Sequence, residues 1–349
     1  MPLNPSAPSA LRYPQSELPA FGETIEVAKG VLWTRLPLPF RLDHVNVYLV
    51  EDGTGWAVLD TGVDTAASRQ IWEKLFAGVL RDKPATKVIV THYHPDHIGL
   101  AGWLCRRFDV PLYTSQTTYL SSINISIRPD ALESAHYRDF YLRHGLASDV
   151  AALVATQGHS YLRLVHALEP TFRRIVAGDT LQIGGRAFQL LSGDGHAPEQ
   201  IMLLSQADGL FFAADQVLAR ITPNVSVWAV EPYGNPLGLY LRSLRALKEQ
   251  VAPEVLVLPG HQLAFYGLHV RIDELIAHHE VRCELIIRAC RAQPHSAAEL
   301  VPVLFPKPLD PHQMSFAFSE TQAHINCLLA HGALTVALGA DGIERVQAP

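Results

Sequence analysis

The 349-residue chain has little cysteine: Cys105, Cys283, Cys290 and Cys327 are widely spaced, and none belongs to a C-x-x-C pair. A disulfide framework of the kind that staples secreted domains is therefore not expected. It also lacks any lysine/arginine run, and its net charge is −6. That speaks against a partner held mainly through its phosphates. No apolar stretch approaches the length needed to span a bilayer. The first eight residues carry three prolines (Pro2, Pro5 and Pro8) where a signal peptide needs an apolar core. A cytoplasmic location, with no membrane partner, is the simplest expectation. What is present is ordinary globular material, 48% hydrophobic and 18% charged. The length allows one large domain and a smaller one.

Histidine is plentiful, and one stretch concentrates it: Thr91-His92-Tyr93-His94-Pro95-Asp96-His97-Ile98-Gly99. Three imidazoles and a carboxylate fall within six positions, directly after the strand-like Val88-Ile89-Val90. Packing gains nothing from such a cluster, since each buried imidazole needs its own hydrogen-bond partner. Pro95 supplies no N–H and keeps His94 out of helical geometry, so the strand must break there. The ligand set suits zinc, and also iron or manganese. A helix is expected to begin near His97, with Asp96 placed to cap it.

Along the chain, residues 1–25 are proline-rich and are expected to form a tail or strap. Strands are expected at Val31–Thr34, Val45–Val50 and Trp56–Leu59, the last ending at Asp60. A helix capped by Asp64 should follow, with Ile71, Leu75 and Val79 on one face. Residues 115–170 break the strand–helix alternation and look largely helical. Tyr137, Tyr141 and His144 share a helical face there, which suits a packed hairpin or a substrate wall. Strand character returns at 174–176, 180–183 and 187–191, and an Asp208-Gly209 turn joins two more strands as a hairpin. A helix beginning at Asn235-Pro236 leads to a strand at 255–258. His92, His196, Asp215 and His261 each fall just beyond a strand's C-terminal end, the rim where α/β architectures gather ligands. The remainder, 271–349, predicts three helices (272–292, one capped by Ser296, one from near Ser319) and a small hairpin across Ala340-Asp341-Gly342. That is a winged-helix outline, but from residue 273 on five basic residues meet nine acidic ones. An accessory or dimerisation role, with a homodimer as one form, fits this charge better than nucleic-acid binding.

Asp60, the His92-x-His94-x-Asp96-His97 cluster, His196, Asp215 and His261 together resemble the metallo-β-lactamase superfamily, in the order and spacing of its glyoxalase II-like hydrolases. The resemblance implies an α/β fold: a four-layer αβ/βα sandwich over about residues 26–270, with the helical insertion near 115–170 and a small winged-helix-like C-terminal domain at 271–349. It implies two divalent metal ions. His92, His94 and His196 would hold the first, Asp96, His97 and His261 the second, and Asp215 would bridge them. Asp60 would orient the ligand loop by hydrogen bonds. The implied chemistry is hydrolysis by a metal-bridging hydroxide, with Asp96 orienting the nucleophile, on an ester-type bond (thioester, ester or lactone) of a small molecule. Tyr48, Tyr93, Tyr137, Tyr141 and His144 are candidate substrate contacts. Two other activities share the superfamily, phosphodiester hydrolysis of RNA or DNA and iron-dependent dioxygenation. The acidic insertion and tail argue against the first. A flavin–diiron site normally has glutamate where His94 stands.

Overall fold

The computed structural model describes residues 11–40, 42–127, 135–155 and 159–349. Residues 1–10 of the expected tail, and Arg128, Asp130 and Glu133 of the insertion, lie outside them. Seven strands form the first sheet in chain order: β1 (Ile25–Ala28), β2 (Val31–Pro37), β3 (His44–Asp52), β4 (Gly55–Leu59), β5 (Ala85–Ile89), β6 (Leu112–Thr114) and β7 (Arg173–Arg174). Pairing is antiparallel from β1 to β4 and parallel from β4 to β7. The second sheet holds β8 (Thr180–Ile183), β9 (Arg186–Gly193), β10 (Gln200–Ser205), β11 (Leu210–Ala214) and β12 (Leu256–Pro259), in the order β12-β11-β10-β9-β8.

Side chains alternate across each strand with period two, and this sorts the apolar residues into three layers. Tyr48 and Val50 of β3 and Ile201 and Leu203 of β10 point into the space between the sheets. Val47 and Leu49 face outward, onto α1 (Ala66–Ala77) and, past the short α2 (Pro95–Ile98), α3 (Ala101–Phe108). Met202 and Leu204 face outward on the opposite side, where Leu244 and Tyr240 of a later helix cover them. Helices outside and two sheets inside make the four-layer αβ/βα metallo-β-lactamase sandwich.

The insertion is helical as expected: α4 (Gln116–Ile127), α5 (Ala135–Arg143), α6 (Ser148–Ala155) and α7 (His159–Leu164). It is followed by α8 (Pro236–Gln250), capped by Asn235, whose side chain accepts from Gly238 N. The tail comprises α9 (Leu268–Ala292), α10 (Ala297–Leu304), α11 (Pro311–Ala330) and the hairpin β13 (Thr335–Leu338)–β14 (Glu344–Gln347). Residue 271 falls inside α9. Ile286, Leu300 and Phe318 of the tail share one apolar layer with α8 and the second sheet. Leu11 is buried in that layer too, and Arg12 and Tyr266 exchange backbone hydrogen bonds, so the chain from residue 11 lies as a strap. No described helix is long and apolar enough to cross a membrane.

Local details differ from the sequence expectation. Thr65, not Asp64, caps α1, because Asp64 is engaged by Arg69 at 2.7 Å. The buried face of α1 is Ser68, Trp72 and Leu75. The expected Ile71 and Val79 are partly buried against the same layer, which the indole of Trp72 fills. The strand expected at 174–176 is the pair Arg173–Arg174. The last helix starts at Pro311 rather than near Ser319, since Asp310 and Gln313 form a capping box around a proline at the first helical turn.

Candidate metal centre

The residues at the sheet edge are aimed by backbone that ordinary side chains avoid. Asp60 at the end of β4 (φ 60°), Ala214 before Asp215 (φ 44°) and Gln262 after His261 (φ 68°) all occupy the left-handed region. Each costs free energy, and each turns a strand end sharply towards the same point. Gly260, before His261, has no alternative. A Cβ there would be driven into Asp215 Oδ1 and would lie 2.9 Å from His97 Cε1. His94 occupies the N-cap position of α2 in extended conformation and makes no side-chain cap bond. The expected capping role of Asp96 is therefore corrected: Asp96 sits in the first turn of α2, and its carboxylate turns to His261 Nε2 (3.3 Å) and His97 Nε2 (3.6 Å).

The structure brings all seven expected ligands together. His94 Nδ1 lies 3.0 Å from both His92 Nε2 and His196 Nε2. Asp215 Oδ2 lies 3.1 Å from His261 Nε2, 3.4 Å from His196 Nε2 and 3.5 Å from His97 Nε2. Three sets have ligand atoms within 4.8 Å of one another: His92, His94 and His196; His92, His97 and Asp215; Asp96, His97 and His261. Asp215 thus stands between the two histidine groups.

Four of the five imidazoles are held from behind through their outer nitrogen. His196 Nδ1 donates to Asn224 O (2.8 Å), His261 Nδ1 to His44 O (2.7 Å) and His97 Nδ1 to Asp60 Oδ2 (2.8 Å). His92 Nδ1 donates to Thr91 Oγ1 (3.0 Å), whose hydroxyl donates on to Asp60 Oδ2 (3.0 Å). Asp60 Oδ1 also accepts from Thr91 N. These bonds select the tautomer in which each Nε2 carries a free lone pair facing the centre. Asp60 thereby orients two ligands at once, one directly and one through Thr91.

Electrostatics separate the imidazoles. Burial, reinforced by neighbouring histidines, lowers His94 to about 3 and His92 well below its ordinary value. For His261 burial also opposes charge, but Asp215 and Asp96 more than offset it and raise the ring to about 10. His97 is raised in the same way by Asp215, Asp96 and Asp60. Burial resists ionisation of Asp96 and Asp215, yet His97 and His261 hold both carboxyls below the usual range. Among the described residues no arginine or lysine pairs with Asp60, Asp96 or Asp215, and the field favours added positive charge. His97 Nε2, which faces Asp215 and Asp96 at 3.5 and 3.6 Å, is buried without a hydrogen-bond partner, as is Asp215 Oδ1 beside Gly260. A buried polar atom left unpaired is costly, and divalent cations fit both the donor set and these orphans.

The expected substrate contacts divide. Tyr93, between two ligands, has its ring 4.9 Å from His94, and its carbonyl accepts from Tyr161 Oη (2.9 Å). Tyr137 is half-buried on the same side. Tyr48 lies between the sheets instead, its hydroxyl donating to Pro259 O (2.8 Å). Tyr141 packs on Phe318 of α11, and His144 Nδ1 donates to Phe140 O. The helical stripe they share is the one that docks α5 onto the tail, so it is taken up by packing. Sequence reasoning missed Asn46, whose amide donates to Pro259 O and Gln262 O and so braces the His261 loop. Its signal was a lone amide inside the apolar run Val45–Val50. Thr91 and Tyr161 were also missed.

The geometry agrees with what comparison with known proteins finds. The metallo-beta-lactamase superfamily profile matches residues 40–261, and that of the metallo-beta-lactamase-like C-terminal domain matches 283–349. The crystal structure of a beta-lactamase domain protein from Burkholderia ambifaria superposes with a TM-score of 0.88 at 42% identity, covering 97% of each chain. A metallo-beta-lactamase family protein from Thermus thermophilus superposes at 0.78 with 27% identity, covering 93% of this chain and all of that one. The probable metallo-hydrolase YqjP of Bacillus subtilis is 26% identical over 312 residues, 88% of this chain and 94% of its own. With its ligands gathered at the edge of a two-sheet sandwich and the superfamily profile spanning most of its length, this chain belongs to the metallo-beta-lactamase superfamily.

Proposed function

We propose that this metal-dependent hydrolase cleaves an ester-type bond (a thioester, ester or lactone) of a small molecule. His92, His94 and His196 would hold one divalent ion, Asp96, His97 and His261 a second, with Asp215 reaching both. Zinc suits the donors, which are mostly imidazole with carboxylate. Such ions, when bound, lower the pKa of water from 15.7 towards about 7 and polarise a carbonyl oxygen. Asp96, whose side chain is 18% exposed while His97 is fully buried, is the carboxylate that solvent reaches. It would orient the attacking water. Asp60 and Thr91 hold His92 and His97 in the tautomer this requires.

The observation that supports the metal-dependent part of the reading is the convergence of His92, His94, Asp96, His97, His196, Asp215 and His261, with ligand atoms of three overlapping sets within 4.8 Å and His97 Nε2 lacking a hydrogen-bond partner. A cysteine nucleophile has no support. Burial pushes the Cys105 and Cys283 thiols up to about 12 and Cys290 to about 11, far from the thiolate form. The test is a panel of acyl-thioesters, aryl esters and lactones given to zinc-loaded protein, alongside His196→Ala and Asp215→Ala. Turnover abolished in both variants is expected. An inert wild-type protein carrying its full complement of zinc would overturn the proposal.

A further inference from the structure

His94 is the exception among the five imidazoles. It turns Nδ1 to the centre, and among the described residues nothing hydrogen-bonds its outer nitrogen, Nε2. Its ring is aimed through the backbone instead, because both peptide planes that flank it are anchored. The plane after it carries the His94 carbonyl, which accepts from His97 N (3.0 Å) and Ile98 N (3.1 Å) at the start of α2. Pro95 keeps the residue extended there (φ −61°, ψ 145°). The plane before it joins the Tyr93 carbonyl to the His94 nitrogen, and that carbonyl accepts from Tyr161 Oη (2.9 Å).

Tyr161 belongs to α7, the last helix of the insertion, and is only 8% exposed. The chain around it is locked to α2 and to the loop before α1. His166 N donates to Gly99 O (2.7 Å), and Leu164 O accepts from Asp64 N (2.7 Å). A Cβ at Gly99 would sit 2.6 Å from Leu164 O, so α2 and the end of α7 approach as closely as glycine allows. A hydroxyl held on such a platform fixes the planar peptide unit it bonds. With both planes held, φ and ψ of His94 are set and its ring leaves the chain in a defined direction. We infer that Tyr161 is a positioning residue for the metal centre. It does for His94 what Asp60, Thr91 and two backbone carbonyls do for the other four histidines. Through that one hydroxyl the helical insertion becomes part of the site formed by His92, His94 and His196. This rests on the reading of the centre as a metal site, and not on which bond is cleaved.

Tyr161→Phe removes the hydroxyl and keeps the ring. Tyr119→Phe is the matched control: Tyr119 is also 8% exposed and donates to a backbone carbonyl, Glu169 O (2.8 Å), away from the ligand loops. Zinc affinity is measured by chelator competition, and the cobalt-substituted proteins are compared by visible absorption. Tyr161→Phe is expected to weaken binding of one zinc ion per chain about tenfold and to shift the cobalt bands. Tyr119→Phe should change neither, while the two metal-free variants unfold alike in denaturant. By reciprocity, zinc added to the wild type should slow amide exchange across residues 161–164, and Tyr161→Phe should abolish that effect. Affinity and spectrum of Tyr161→Phe equal to the wild type, or an equal loss in both variants, would overturn the inference and leave the metal centre standing. Wild-type protein that takes up no zinc would overturn both.

Discussion

At the candidate metal centre, buried imidazoles face three carboxylates that no guanidinium or ammonium of the described residues holds. In the tail, His279 and His324 face one carboxylate, Glu320, which Arg282 already engages at 2.7 Å. By distance alone the two regions look alike, since ligand atoms of His279, Glu320 and His324 also lie within 4.8 Å of one another, all buried. Their electrostatics differ in part: burial lowers His92, His94 and His196 at the centre just as it lowers the tail pair, but two centre histidines go the other way. Carboxylates raise His97 and His261, whereas burial lowers His324 to about 3 and His279 well below its ordinary value. The tail pair forms a neutral chain, His279 Nδ1 donating to His324 Nε2 (3.1 Å) and His324 Nδ1 to Glu320 O (2.8 Å), which leaves His279 Nε2 buried without a hydrogen-bond partner. Arg282, stacked over Phe305, would repel a cation placed there. Proximity of ligands is thus common to both clusters, and uncompensated negative charge distinguishes the one that takes metal.

The largest expected effect falls on the centre. Asp215→Ala removes the carboxylate between the two groups and should lower kcat/KM by about 10³-fold or more, with bound metal lost in elemental analysis. Next is Gly260→Ala, whose new methyl collides with Asp215 Oδ1. A displacement of about 1 Å at the reacting groups should cost about 10²-fold in kcat with the fold intact by circular dichroism. Thr91→Val severs the link from Asp60 to His92 and should weaken zinc binding about 10- to 100-fold in a competitive chelator titration.

The smallest effects on activity, and the sharpest test of the contrast, belong to the tail. His324→Ala should leave zinc stoichiometry unchanged while costing about 1–3 kcal/mol in denaturant unfolding, because it strands the His279 donor. Loss of a metal ion per chain in this variant would break the comparison. The tail histidines also set a pH dependence. His278, His279 and His324 are held neutral when folded, with His278 lowered by burial to about 4. The unfolded chain binds protons near pH 6.5, so their contribution is complete above that value and drains away as pH falls towards 4 and then 3. Hydrogen exchange of α9 and α11 should show this acid sensitivity, and His324→Ala should reduce it.

Much of the centre was legible because its residues obey one rule. Asp60, His196, Asp215 and His261 each end a strand whose apolar pattern is plain, and the His92–His97 stretch compresses four ligands into one turn of chain. The helix–strand sequence was legible for the same reason, since periods of two and of about four are written locally. Less local features escaped. Asp96 has the right residue type for a cap, yet two histidines draw its carboxylate away from the helix N-terminus. Tyr48, Tyr141 and His144 have the chemistry of substrate contacts, but Pro259, Phe318 and Phe140 claim them.

Residue type and spacing were enough to indicate the superfamily and the two-sheet architecture, and to single out seven side chains that the fold brings together, because each is written in local patterns along the chain. Which nitrogen of each imidazole faces inward, and which of two histidine clusters carries unbalanced charge, were decided only in three dimensions. Hydrogen-bond acceptors, guanidinium partners and ring neighbours come from segments up to a few hundred residues away, and free energy at a buried site is set by what lies within a few ångströms, whatever its place in the sequence.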